Sequence, residues 1–210
     1  MEKEHKARPI IFQGWGVRAI MEGRKTQTRR VMNRQPHPDF LKRGLVEATP
    51  QKDGVRFFMA DGMSELVKCP FGVPGDHLYV RETWAVSTAY DSYHGSLSRH
   101  VHNVAYRAGG GFNFEFNDRG RWRPSIHMPR WASRLTLEIT EVRVQRLQDI
   151  SEEDAKAEGV ERKLLYDPAN PDTVAYSYRM TFADLWDDIN GKKFPWSGNF
   201  WVWAISFRRI

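Results

Sequence analysis

The sequence predicts one α+β domain in which short helices flank a small, bent sheet or barrel, and three observations carry that prediction. The stretch "RLTLEITEVRVQRL" alternates through Leu135, Leu137 and Ile139 and then shifts phase to Val142 and Val144, as a β-bulge or strand bend requires. The terminal "NFWVWAISFRR" sets Trp201, Trp203, Ile205 and Phe207 on one face and Phe200, Val202 and Ala204 on the other. A strand apolar on both faces is a central one. Two capped segments of helical period stand apart from these strands. A chain of 210 residues buries roughly 70% of its unfolded surface, enough for a core without disulfide staples. No repeat or Gly/Ser-rich linker divides residues 1–210, so the whole length reads as a single domain.

The elements follow in order. "RPIIFQ" is β-like, and "VRAIME" places Val17, Ile20 and Met21 at i, i+3 and i+4, with Gly23 after it as a residue tolerant of positive φ. The basic octapeptide "GRKTQTRR" (23–30) comes next. From 33 to 70 the pattern is irregular, with "RQPHPDF" and "PQKDG" as loop signals and "CPFGVPGD" as a turn-rich entry to a strand. In "HLYVRETWAV" the alternation puts Leu78, Val80, Glu82, Trp84 and Val86 on one face, a carboxylate within an apolar row. The Gly-rich "AGGGFNFEFND" (108–118) reads as a hairpin or mobile loop, not a phosphate loop, because no Lys-Ser or Lys-Thr follows it. "SEEDAKAEG" is a short helix with Ser151 as N-cap, Asp154 three residues on, Glu152 and Glu153 complementing the dipole, and Gly159 ending it. A second helix near 178–190 carries Phe182, Leu185, Trp186 and Ile189 as its apolar stripe, and "NG" stops it.

A net charge of +6 favours a phosphate-bearing partner. Cys69 is the only cysteine, which excludes an intrachain disulfide and a thiolate metal cage and points to the cytoplasm. The N-terminal "MEKEHKARPIIF" lacks the apolar core of a secretory leader, and the apolar run "FWVWAISF" is far short of the ~20 residues of a span, so no membrane association is expected. His94, His100, His102 and His127 lack metal-ligand spacing beyond "HVH" and read as solvated loop residues. No metal or other cofactor is implied, which also disfavours a metal-dependent nuclease.

Within the octapeptide, Gly23, Lys25, Thr28 and Arg30 spell G-x-K-x-x-T-x-R. Together with the "PGD" turn at 74–76, "ISEEDAKAEG" at 150–159 and the terminal aromatic strand, the chain resembles the ASCH family, whose fold is similar to the PUA RNA-binding barrel. On that resemblance the fold is a PUA-like small β-barrel with flanking helices, and the stretches near 33–70, 87–125 and 161–176 are insertions. The long, Trp-rich form is similar to ASCH proteins of bacteriophages and prophages, which would place it in the cytoplasm of a bacterial host. Small bacterial members hydrolyse N4-acetylcytidine with a Lys and a Thr of the motif and a Glu of the later helix. The resemblance therefore implies catalytic roles for Lys25, Thr28 and Glu158, with Arg30 as a substrate anchor. The physical chemistry is compatible. A Thr hydroxyl needs a base to accept its proton, and a Lys crowded by Arg24, Arg29 and Arg30 and buried from water has a lowered pKa. Glu158 stands against the helix dipole, a placement more often tolerated for a task than by accident.

The same residues admit other readings. Arg24, Arg29 and Arg30 suit a phosphate-contacting surface, which would make the protein a PUA-like RNA-binding module or, less favoured, a ribonuclease. "RGRWRPSIHMPRWASR" (119–134), with five Arg, two Trp and no acid, adds Arg121, Trp122 and Arg123 as candidates for phosphate contact and base stacking; the alternative is that Trp122 and Trp131 pack internally. Glu82, with Trp84 beside it, could accept from the amino group of a cytosine-like base or could hold a buried Arg. The expected ligand is a nucleoside or single-stranded RNA, and the pattern specifies no oligomer.

Overall fold

A computed structural model describes residues 7–33, 35, 45–51, 54–59, 64–90, 104–110, 118–166 and 174–210. Its centre is a five-stranded sheet of β1 (Ala7–Ile11), β2 (Gln27–Val31), β6 (His77–Arg81), β9 (Thr136–Arg146) and β12 (Trp201–Arg209), ordered β1-β6-β9-β12-β2. β1 runs parallel to β6 and the other pairs are antiparallel. β12 lies between β9 and β2, the central place its doubly apolar pattern predicts. The phase shift in β9 is a bulge: Ile139 pairs with Phe207 and Glu141 with Ser206, leaving Thr140 as the extra residue.

The alternation of β12 supplies two cores. Trp203, Ile205 and Phe207 join Ile10, Val17, Ile20, Leu78, Val80, Leu137 and Ile139 on the face covered by α1 (Gly14–Met21). Val202 faces the other way, into a cluster with Leu147, Ile150, Ala155, Phe182 and Trp186 under α2 (Glu152–Ala157) and α3 (Tyr178–Asn190). α2 is capped as the sequence specifies, Ser151 accepting from the Asp154 N–H, and Gly159 leaves it at φ 85°. On the expected α3 stripe, Phe182 and Trp186 are buried, while Leu185 and Ile189 line a cleft described below.

The described strands pair in an open order, with no backbone ladder between the edge strands β1 and β2. The two edges are linked instead by a side chain: Arg30 of β2 donates to the carbonyl of Ile11 at the end of β1. The ring of Phe12 lies between, with both the Arg30 guanidinium and the Lys25 ammonium over it.

Residues 33–70, irregular in sequence, hold an antiparallel meander of β3 (Leu45–Gln51), β4 (Gly54–Met59) and β5 (Ser64–Lys68). β3 ends at Gln51 and β4 begins at Gly54, within the "PQKDG" loop signal; strands with an internal Pro50 and an apolar "VRFFM" run show no clear period-2 pattern. "HLYVRETWAV" is likewise two strands. β6 ends at Arg81, and β7 (Trp84–Val86) pairs with β8 (Val104–Tyr106) over a third cluster of Trp84, Val86, Val104, Met128 and Ala132. The stretch 161–176 carries the hairpin of β10 (Lys163–Tyr166) and β11 (Val174–Ser177). Most of the Gly-rich loop, and His94, His100 and His102, lie outside the described residues.

Candidate functional site

The octapeptide folds as a turn leading into an edge strand. Gly23, at φ 75°, ends α1, and the N–H groups of Arg24 and Lys25 turn back to the Ala19 carbonyl. Lys25 then forms an isolated antiparallel bridge with Glu158, and the Thr26 N–H donates to Ala157, so the strand entry is laid against the end of α2. The approach requires glycine at 159: a Cβ there would sit 2.8 Å from the Cβ of Lys25 and 3.0 Å from that of Ala19. β2 pairs with β12 from Gln27 to Val31, turning Gln27 and Arg29 toward α2 and Thr28 and Arg30 to the opposite face.

Lys25 and Glu158 form a buried ion pair, their side chains 2% and 4% exposed. The ammonium donates to Glu158 Oε2 at 2.6 Å and to the Glu158 carbonyl at 2.8 Å, and lies over the rings of Phe12 and Trp15. Burial lowers the Lys25 pKa below its ordinary 10.5; Glu158 opposes this by charge and hydrogen bond, and Arg30 and Arg29 add to it. The second Glu158 oxygen accepts from Arg29 at 3.2 Å. Arg29 also donates to Gln27 Oε1 and to Asp154 Oδ2, and Arg143 donates to both Asp154 oxygens. Burial pushes the Asp154 pKa up, but hydrogen bonds from Gln27 and Arg143 and the charges of Arg29 and Arg143 outweigh it and hold the carboxyl below 3.8. Asp154 and Glu158 are four apart, so they share one face of α2 and grip the same guanidinium.

Lys25, Thr28, Arg29, Arg30 and Glu158 all line one cleft of about 410 Å³. That volume is at the lower end of the roughly 300–1,000 Å³ usual for small-molecule sites. Phe12, Trp15, Phe71, Phe182, Leu185, Trp186, Ile189 and Phe194 form its apolar walls. Thr28 is buried and its hydroxyl makes no hydrogen bond to another described side chain or carbonyl. The Nε–H of Arg30 is a buried donor without a partner among the described residues. The arrangement can place an acceptor group against Arg30, a flat ring against aromatic walls, and a hydroxyl beside the buried Lys25–Glu158 ion pair.

The other sequence candidates are placed elsewhere. Arg24 is exposed and turned to the Glu22 carboxylate and the Gly159 carbonyl, away from Lys25. Arg29 lines the cleft, but its guanidinium is engaged by two carboxylates and a Gln. Glu82 is 2% exposed and both of its oxygens accept from Arg134, at 2.8 and 3.0 Å; burial raises its pKa above 4.5 against the pull of that Arg. Trp84 is a core side chain, edge-on to Trp131, with Arg123 over its ring. Trp122 is half-buried under the Arg119 guanidinium at 4.5 Å, and Arg121 is exposed. Of these seven candidates only Arg29 lines the cleft.

Sequence reasoning missed Asp154, which it read only as part of the helix start, and the aromatic walls Phe12 and Trp15. The i, i+4 spacing of two acids behind an Arg-rich strand was a usable signal for the first; the walls come from separate elements and had none. Among the described residues no three His, Cys, Asp or Glu side chains come together as a metal set, and no helix is long and apolar enough to cross a membrane. No family model matches the sequence, and no curated protein matches it. Among solved structures the chain is similar to protein EF3133 from Enterococcus faecalis V583, of family-model DUF984, at 11% identity and a TM-score of 0.38, over 100% of this chain and 83% of that one.

Proposed function

We propose that the protein is an ASCH-type, PUA-like hydrolase that removes an N4-acyl group from cytidine, with the cleft as its active site. The observation that carries the reading is the convergence of Lys25, Thr28 and Glu158 on one cleft of nucleoside scale, with Arg30 beside them. The aromatic walls suit a base, whose π-face stacks on such side chains.

The Thr28 hydroxyl, or a water it holds, adds to the acyl carbonyl while neutral Lys25 accepts the nucleophile's proton. Burial and the neighbouring arginines favour that neutral form. Glu158, holding the proton that the pair shares, gives it to N4 as the C–N bond breaks. Attack by water yields cytidine and acetic acid directly; attack by Thr28 releases cytidine and leaves an acetyl ester on its oxygen, which a water then hydrolyses to acetic acid and the free hydroxyl. Proton transfer from Lys25 to Glu158 across their 2.6 Å contact restores the starting pair. The unpartnered Arg30 Nε–H offers a donor to the carbonyl oxygen as charge develops there.

The test is acetate release from N4-acetylcytidine, followed by proton NMR. Lys25→Ala, Thr28→Ala and Glu158→Ala should each cut turnover by about 100-fold or more. The double variant Lys25→Ala/Thr28→Ala should be little worse than either single, because members of one catalytic unit are not additive. No acetate from wild-type protein would refute the reading. A second reading, an RNA-binding module, is favoured by one feature, the Arg119–Trp122 stack beside exposed Arg121. It requires single-stranded RNA affinity that falls linearly with log salt and weakens for all sequences alike in Arg121→Ala.

A further inference from the structure

A second cavity, of about 310 Å³, adjoins the first: Gln13 and Trp15, at the start of α1, line both. Two guanidinium-bearing side chains, Arg18 and Arg107, line it from different parts of the chain, and neither has a hydrogen-bond or ion-pair partner among the described residues. Both are exposed at the cavity rim, whereas Arg8, Arg29, Arg134 and Arg208 are held by carboxylates. Glu82 also lines the cavity, but it is buried and both of its carboxylate oxygens accept from Arg134. Among the described residues, Arg18 and Arg107 therefore give the cavity a cationic rim. No acidic residue occupies the first turn of α1 and no side chain caps it, so the helix end adds to that field.

We propose that this cavity is a phosphate subsite, which takes the phosphate attached to the nucleoside whose base occupies the neighbouring cleft. Two guanidinium-bearing side chains on one cavity supply donors suited to phosphate oxygens, and the shared lining residues Gln13 and Trp15 make that cavity adjoin the base site. The preferred ligand is then a nucleotide, either a mononucleotide with a terminal phosphate or a residue within RNA with a phosphodiester. This rests on the nucleoside reading of the cleft, which its test keeps separable.

Binding of cytidine and of cytidine 5′-monophosphate is compared by calorimetry, since neither requires turnover. The monophosphate should bind at least about 10-fold more tightly, the scale of one charge-assisted contact. In Arg18→Ala/Arg107→Ala, whose fold is checked by circular dichroism, the two affinities should agree within about twofold, with cytidine itself unchanged. Equal wild-type affinities, or an advantage that survives the double substitution, would overturn the subsite. A cytidine dinucleotide separates the two sources: retention of the gain identifies a phosphodiester, and its loss a terminal phosphate. Inorganic phosphate, followed by phosphorus NMR, needs no base site. Broadening in wild type that the double variant loses supports the subsite even if cytidine does not bind, and no difference between the two proteins overturns it. Failure of acetate release with the monophosphate preference intact would sink the hydrolase reading alone.

Discussion

Breaking the Lys25–Glu158 pair from each side separately should reveal how strongly two buried charges depend on one another. In Lys25→Met, Glu158 keeps Arg29 as its hydrogen-bonded cation and the more distant charge of Arg30; in Glu158→Gln, the ammonium faces an amide that can present an N–H to it. Loss of one partner of a buried pair costs about 3–5 kcal/mol. The Gln variant should lie at the low end, because burial already favours loss of the Lys25 proton and each pKa unit of that escape costs about 1.4 kcal/mol. In the double variant Met packs between the rings of Phe12 and Trp15 while Gln still accepts from Arg29, so its cost should be about 1–2 kcal/mol. A coupling energy of about 4–7 kcal/mol follows, above the roughly 0.5–3 kcal/mol usual for contacting residues, as two charges buried together require. At about 2–4 °C per kcal/mol for a chain of this size, either single loses roughly 6–20 °C in Tm. Urea denaturation of the four proteins measures the cycle, and repeating it across pH tests the charge. Lys25 has a folded-state pKa below its unfolded 10.5, so between those values the unfolded chain holds the extra proton and wild-type stability rises with pH. Lys25→Met should remove that rise, and Glu158→Gln should extend it to lower pH. Additive singles, or a pH slope untouched by Lys25→Met, would refute the reasoning.

Gly159→Ala should cost about 2–4 kcal/mol, combining the left-handed backbone penalty with overlap against Lys25 Cβ, and should depress turnover with it; a Tm within 1 °C of wild type would contradict the contact. Asp154→Asn should cost about 2–3 kcal/mol near neutrality through its lost charge-assisted bonds. The Asp154 pKa is depressed, so its contribution is present above the unfolded 3.8 and lost as pH falls through the folded value; the variant should flatten that acid limb of the denaturation profile. Glu82→Gln should lower Tm by several degrees by unpairing Arg134 while leaving turnover of free N4-acetylcytidine within about twofold; a change in base selectivity without loss of stability would instead put Glu82 at the substrate.

Much of the frame was legible because its signals are local. The β9 bulge showed as a change of phase, the central place of β12 as two apolar faces, and the α2 boundaries as Ser151 and Gly159. The burial of Glu82 also followed from parity, but not its partner, since Arg134 reaches it from 52 residues away. The same limit applies at the cleft. Lys25 and Glu158 meet across 133 residues, and only the family resemblance joined them in advance. Arg29 looked like a phosphate contact because charge in a sequence does not reveal its compensation, and two acids of α2 supply it. The small sheets within 33–70 and 161–176 were missed because short strands without clean alternation look like loops.

The most direct test is a crystal structure of Lys25→Ala soaked with N4-acetylcytidine, the substitution serving to hold substrate uncleaved. The base should lie in the cleft between the walls that include Trp15 and Phe12, with its acyl oxygen toward Arg30. The acyl carbon should be about 3–3.5 Å from the Thr28 hydroxyl or from a water bound to it, and Glu158 within reach of N4. Density for the ligand outside the cleft, or an acyl group turned away from both Thr28 and Glu158, would contradict the assignment of this cleft as the site of hydrolysis.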